Sequence, residues 1–313
     1  MDDKTNSVDL GIDLGIDFAG VHFKNPVVVA SGTFGFGREY SEFYDLSILG
    51  GICVKGLTAA KRLGNPPPRV AETPMGMLNS VGLQNPGVDG FIENELPFLR
   101  DIDTNIIANI SGNTVEEYAS MAEKLSDAAV DMIEVNVSCP NVKEGGIQFG
   151  TSAAAVEEVT RAVKSKSNIP VMVKLSPNVT DIAEIALSAQ NGGADAISLI
   201  NTLLAMRIDI HTKRPVLYNN TGGLSGPAVF PVALRMVWQV KQAVSIPILG
   251  MGGITNGNDA VEMMLAGASL VGIGTANFSD PYASPKTIEG IKSYLSQKGI
   301  KSARDITGSV ENN

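Results

Sequence analysis

Cysteine is nearly missing from this chain: 313 residues hold two, Cys53 and Cys139. Two thiols cannot build a disulfide framework, a zinc centre or a four-thiolate iron–sulfur cluster from this chain alone, and such scarcity fits a reducing cytoplasm. Histidine is as sparse, with only His22 and His211, so no metal site is expected and imidazole catalysis has little material. Positive charge is also short: 24 Lys and Arg stand against 33 Asp and Glu, a net charge of -9. Nucleic acid and anionic membrane surfaces call for clustered basic side chains, so neither is an expected partner. No apolar run approaches the length of a membrane span, and the polar, acidic start, Met1 to Asp9, is unlike a signal peptide.

What the chain does have is apolar substance. Hydrophobic residues make up 44% and charged residues 18%, the balance of a globule with a large core, and no composition break divides residues 1–313 into more than one domain. The stretch from Val8 to Pro26 alternates apolar and polar residues around glycines, which predicts a short N-terminal β-hairpin able to cap a barrel from below. Eight short apolar runs come next: Val27 to Ala30, Ile52 to Val54, Ile106 to Ile110, Ile133 to Val137, Val171 to Leu175, Ala196 to Ile200, Ile246 to Leu249 and Leu270 to Ile273. Several are apolar throughout, as parallel strands covered on both faces are.

Segments of helical period lie between them: Thr114 to Ala129, Ser152 to Ser165, Asp181 to Asn191, Ala228 to Ala243, Asn258 to Ala266 and Pro285 to Gln297. Capping residues precede several, and Gly192 and Gly267 follow two of them. Strands alternating with helices over roughly 250 residues predict an α/β fold of the (β/α)8 TIM-barrel type. An open doubly wound sheet is the rival, and it lacks a GxGxxG after the first strand. Two connections, Leu57 to Asn105 and Asn201 to Gly226, are long insertions at the C-terminal face, where barrel enzymes place their active sites.

The strand ends carry the chemistry. They deliver Ser31, then Lys55 and Gly56, then Asn109, Asn136 with Cys139, Lys174, Asn201 with Thr202, Gly252 with Gly253, and Gly274 with Thr275. Cys139 sits in NVSCPNVK between Asn136 and Asn141, so it is either a reactive pocket thiol or a buried, inert one. Lys55 and Lys174, ending apolar strands, could form a Schiff base, pair with a carboxylate, face an electron-rich cofactor, or merely snorkel to water. The glycines after the last two strands either cradle a phosphate with backbone N–H groups or only permit tight turns. Asn79, Asn109, Asn136, Asn141 and Asn201 supply donors and acceptors suited to an imide or carboxylate ligand. Cys53, inside a strand, and Trp238, on a helix stripe, read as core, and Met75 and Met77 as packing.

Taken together, ASGTFGFG, VKGLT, NSVGLQNPG, NVSCPNVK, VKLSPN, GGLSGP, LGMGGI and GIGTA resemble class 1 dihydroorotate dehydrogenase, in order, from about Val21 to Phe278. Cysteine at 139 resembles class 1, not the membrane-associated class 2, and the wording around it is most like the class 1B catalytic subunit. The resemblance implies oxidation of (S)-dihydroorotate to orotate in pyrimidine (UMP) biosynthesis. Cys139 would take the C5 proton, and hydride would pass from C6 to FMN, one per chain. Substrate would lie on Lys55, Asn79, Ser80, Val81, Gly82, Leu83, Asn136, Asn141, Asn201 and Thr202. FMN would lie on Ser31, Lys55, Gly56, Asn109, Asn136, Lys174, Ile200, Gly226, Gly252, Gly253, Gly274 and Thr275, the last four around its phosphate, with Lys174 favouring the reduced, anionic form. Class 1B implies a homodimer joined to an electron-transfer subunit in a heterotetramer, with FAD and a [2Fe-2S] cluster on that partner and NAD+ as final acceptor. A fumarate-linked enzyme of class 1A type, and one acting on a free pyrimidine base, are the alternatives.

Overall fold

Branched aliphatic residues fill the eight predicted runs, and a strand apolar on both faces needs a packed interior on one side and a cover on the other. The computed structural model, which describes residues 11–138 and 149–311, provides both. Val27–Val29, Gly51–Cys53, Asn105–Ile110, Met132–Asn136, Val171–Lys174, Ala196–Leu199, Ile248–Met251 and Leu270–Ile273 form a closed barrel of parallel strands. Numbered one to eight along the chain, each pairs with the next, and strand eight pairs with strand one. This is the expected TIM barrel. Strand seven starts at Ile248, two residues later than expected, because Pro247 has no N–H to give to a neighbour.

The six expected helices form as Val115–Ser126, Ala153–Lys166, Ile182–Asn191, Phe230–Ala243, Gly257–Leu265 and Ala283–Lys298. Their starts are chemically defined. Thr114 accepts a hydrogen bond from the Glu117 N–H, and Asp181 accepts from those of Ala183 and Glu184, each removing an orphan donor of the first turn. Their buried stripes, such as Val156, Val159 and Val163, pack against the strands, and each such side chain contributes about 1.5–3 kcal/mol through burial. Trp238 departs from the expectation: it is 37% exposed, because the buried stripe of its helix runs through Ala233, Met236, Val237 and Val240 and passes beside it. Met75 is 66% exposed instead of packed; it sits in the tight turn between Thr73 and Gly76 with a positive φ of 132°.

Below the barrel, Ile16–Phe18 and Val21–Phe23 form the predicted hairpin. Phe18 and Phe23 are fully buried edge to face, and the Asn105 side chain at the start of strand three donates to the His22 carbonyl. The cap is thus fastened to the N-terminal strand ends.

The two long insertions are not loops throughout. The first contains the hairpin Val70–Thr73 and Gly76–Asn79, then helices Val88–Asn94 and Leu96–Arg100, which are too short to show a periodic signal. The second contributes Leu203–Ala205 and Gly222–Ser225. Gly76–Asn79 pairs with Gly222–Ser225, so the insertions together make one antiparallel sheet of four strands beyond the C-terminal barrel ends.

Candidate active site

Strands two to six carry a polar cluster inside the barrel, centred on Glu134 of strand four. This carboxyl group is completely buried, and every neighbour offers it a donor. Ser198 of strand six donates to Oε1 at 2.7 Å, and the Cys53 thiol of strand two donates to Oε2 at 3.1 Å. The Asn109 amide of strand three also donates to Oε2, while the Lys174 ammonium of strand five stands 3.8 Å from that oxygen. A buried charge is tolerable only when paired and hydrogen-bonded, and this one is both. Lys174 therefore does not snorkel to water; it is 6% exposed and paired with a carboxylate. Cys53 is core, as expected. Burial first, and the Glu134 charge second, push its thiol well above the ordinary value, against an opposing effect of Lys174.

Above this cluster the pocket residues meet. Gly56 follows strand two so closely that a Cβ there would lie 2.8 Å from Asn109 Oδ1 and 3.2 Å from Leu83, which brings the Ser80–Leu83 segment against the strand-three end. That segment is itself held: Asn65 donates from its side chain to the Ser80 carbonyl and from its backbone to the Val81 carbonyl, and Gly82 adopts φ +76° against Asn65. Lys55 Nζ lies beside Gly32, next to Ser31.

On the other side, the Asn201 side chain donates to Asn136 Oδ1 at 3.2 Å, and Tyr118 fixes the Asn136 carbonyl at 2.8 Å. Thr202 folds back onto Asn201 Oδ1 and presses on Gly223, where a Cβ would fall 2.0 Å from its hydroxyl. Gly223 in turn pairs with Asn79 across the insertion sheet. Asn79, Asn136, Asn201 and Thr202 are thereby brought together; Cys139 and Asn141 lie outside the described residues.

A third group closes the ring. Gly226 and Gly253 both take positive φ, 102° and 78°, and a Cβ on Gly253 would meet the Gly226 carbonyl at 2.8 Å. Gly252, at φ 127°, approaches Ile200 in the same way, and Thr275 donates to the Ser225 hydroxyl at 2.8 Å. Gly274, in contrast, has room: a Cβ there would find its nearest neighbours, Ala30 and Thr33, at 3.7 and 3.8 Å. Three glycine turns and two hydroxyls thus line a cradle at the ends of strands seven and eight, the barrel position suited to a phosphate.

The residues fit a flavin mononucleotide on a direct observation. Asn109 Oδ1 is buried and has no hydrogen-bond partner among the described residues, and the same holds for Ser80 Oγ. Orphaned buried acceptors are costly unless something fills the pocket and donates to them. A ligand with an N–H beside electron-rich atoms, and a phosphate at its far end, would satisfy Asn109, Lys174 and the glycine turns at once. Glu134, Ser198 and Ser225 were missed from the sequence. For Glu134 a signal exists, since a carboxylate inside the apolar run Met132, Ile133, Val135 needs an explanation. Nothing marks the two serines.

A family profile described as Dihydroorotate dehydrogenase matches residues 13–295. The chain is 59% identical over 298 residues to a protein of Alkaliphilus oremlandii named "Dihydroorotate dehydrogenase B (NAD(+)), catalytic subunit", covering 95% of this chain and 99% of that one. A protein of the same name from Alkaliphilus metalliredigens is 59% identical over 96% of this chain and 99% of its own length. One from Bacteroides thetaiotaomicron is 55% identical, again over 96% and 99%.

Proposed function

The chain belongs to the dihydroorotate dehydrogenase family, and from that membership we propose that it oxidises (S)-dihydroorotate to orotate as the FMN-dependent catalytic subunit of an NAD-linked enzyme. The observation that carries the reading is the near end-to-end match to catalytic subunits named for NAD(+). The B-type names favour this acceptor over fumarate, and the family favours dihydroorotate over a free pyrimidine base.

In this reading Cys139 is the base that takes the proton from substrate C5. No histidine adjoins it in the sequence, so its thiolate must be favoured by nearby cations and backbone dipoles, with Lys55 the leading candidate. Asn79, Asn136, Asn141, Asn201 and Thr202, with Ser80 to Leu83, hold the pyrimidine and its carboxylate. Amide groups suit this task because each offers a donor and an acceptor to an imide edge. The insertion sheet covers the pocket and keeps water from the reacting carbons. FMN, when bound, supplies the acceptor for the hydride leaving C6. Asn109, Gly56 and Lys174 hold its ring, Ser31, Asn136 and Ile200 line it, and Gly226, Gly252, Gly253, Gly274 and Thr275 hold its phosphate end.

One FMN per chain, a single domain over 1–313 and a cytoplasmic location complete the proposal. No helix among the described residues is long and apolar enough to cross a membrane. The relatives' designation as a catalytic subunit supports a separate electron-transfer partner. With two cysteines in this sequence, any four-thiolate [2Fe-2S] cluster of the relay would belong to that partner, and we assign FAD to it as well. A homodimer of this chain with two such partners gives a heterotetramer.

An anaerobic visible spectrum of the purified full chain tests the assignment. A bound flavin band that bleaches on addition of dihydroorotate is the expected result. A flavin band that persists would remove dihydroorotate as substrate, and failure to bind FMN at all would remove the cofactor.

A further inference from the structure

Glu134 reaches no surface, yet it touches two groups that line the pocket. A carboxylate only accepts hydrogen bonds, so its contact with Asn109 fixes which end of that amide points where. The NH2 group turns inward to Glu134 Oε2, and Oδ1 is left buried and without a partner among the described residues. The same oxygen draws the Lys174 ammonium, which has no other side-chain hydrogen bond or ion pair among the described residues. Ser198 and Cys53 hold the carboxylate itself, so five consecutive strands meet at one group.

We propose that Glu134 is a positioning residue for the flavin: it presents Asn109 as an acceptor and Lys174 as a cation, and its charge limits how far Lys174 favours the reduced, anionic form. The inference rests on the FMN reading above. Electrostatically, a cation 3.8 Å from a carboxylate acts on a third group as part of a dipole rather than as a full charge. Removing the carboxylate charge leaves Lys174 uncompensated and strengthens its preference for an anionic ring. Removing a donor from the carboxylate does the opposite, because more of its charge is then free to offset Lys174.

The test uses the full chain loaded with FMN, its midpoint potential and its affinity for oxidised FMN. Glu134→Gln keeps the shape and removes the charge. It is expected to raise the ratio of affinities for reduced over oxidised FMN about tenfold, a potential more positive by about 30 mV for a two-electron couple. It is also expected to weaken binding of oxidised FMN, because the new amide no longer dictates the orientation of Asn109. Ser198→Ala should move the potential in the opposite direction, by a ratio of about threefold, and it serves alone if the Gln variant does not fold. Lys174→Met, which removes the cation instead, should move the potential the opposite way from Glu134→Gln. A merely structural role would lower stability without these opposed shifts. An unchanged potential in Ser198→Ala, or no positive shift in Glu134→Gln, overturns the proposal. Wild-type chain that binds no FMN would instead overturn the reading beneath it.

Discussion

The phosphate cradle can be tested with a pair of alanine substitutions that the geometry separates. At Gly274 a Cβ would lie 3.7 Å from Ala30 and 3.8 Å from Thr33, ordinary van der Waals contacts, and the residue has no positive φ. Gly274→Ala should therefore leave the stability of the FMN-free chain within about 0.5 kcal/mol, as for substitutions that meet no obstacle. If the phosphate rests on this turn, the methyl group occupies its place and lengthens at least one backbone N–H contact. A hydrogen bond to a charged group is worth about 1.5–3 kcal/mol, so the FMN dissociation constant should rise roughly 10- to 150-fold. Gly253→Ala differs: with φ +78°, its Cβ would meet the Gly226 carbonyl, Phe230 Cβ and the Phe230 nitrogen, all at 2.8 Å. Two of those atoms are backbone, and a left-handed conformation costs an L-residue about 1–2 kcal/mol by itself, so this variant should lose both stability and FMN affinity. Quenching of FMN fluorescence on titration with apoprotein gives the affinity, and urea unfolding without FMN gives the stability. Unchanged affinity in a normally stable Gly274→Ala protein would refute the placement of the phosphate.

Further outcomes follow from single residues. Cys139→Ala should bind FMN normally yet reduce turnover with dihydroorotate by about 100-fold or more, the scale of lost general-base catalysis; steady-state rates check this, and near-normal turnover would exclude Cys139 as base. Tyr118→Phe removes the hydroxyl that holds the Asn136 carbonyl at 2.8 Å. It should cost about 1 kcal/mol, read as a fall of about 2–4 °C in melting temperature, and raise the KM for dihydroorotate severalfold. Cys53 has a thiol pushed well above its ordinary value by burial and by Glu134, with Lys174 opposing. Below about pH 8.5 the thiol is protonated whether the chain is folded or not; above it the unfolded chain loses the proton first, so folding loses up to about 1.4 kcal/mol per pH unit. Denaturation of wild type and Cys53→Ala between pH 8 and 10 should accordingly show their stability difference narrowing; parallel curves would contradict it.

How much of this was legible depended on where each residue's reason lies. Val27 to Val29 or Leu270 to Ile273 announce buried parallel strands because burial on both faces selects apolar residues at every position. The barrel was therefore readable, and with it the rim where Lys55, Asn109, Lys174 and the paired glycines had to gather. Glu134 was overlooked because its justification is four partners on four other strands, none near in sequence. The insertion sheet was overlooked for a related reason: Gly222–Ser225 is glycine-rich, and what makes it a strand is its pairing with Gly76–Asn79 on one side and Leu203–Ala205 on the other. Trp238 shows the limit of stripe counting, since one step around a helix separates a buried position from an exposed one.

That pairing also bears on how the molecule is made. As the chain leaves the ribosome, Gly76–Asn79 has only its hairpin partner Val70–Thr73, and its other edge stays unpaired until Gly222–Ser225 has been synthesised, by which time six of the eight barrel strands have been translated. Joining distant segments carries a loop-closure cost that slows folding, so the pocket roof is completed late even if the early strands associate promptly. A nascent chain stalled before Gly222 would hold Asn109, Glu134 and Lys174 but present Leu78 and its neighbours as an open strand edge. Such edges invite pairing with other chains. Truncation or slow translation between Asn201 and Gly226 thus leaves that edge open for longer, and a chaperone would have it to shield.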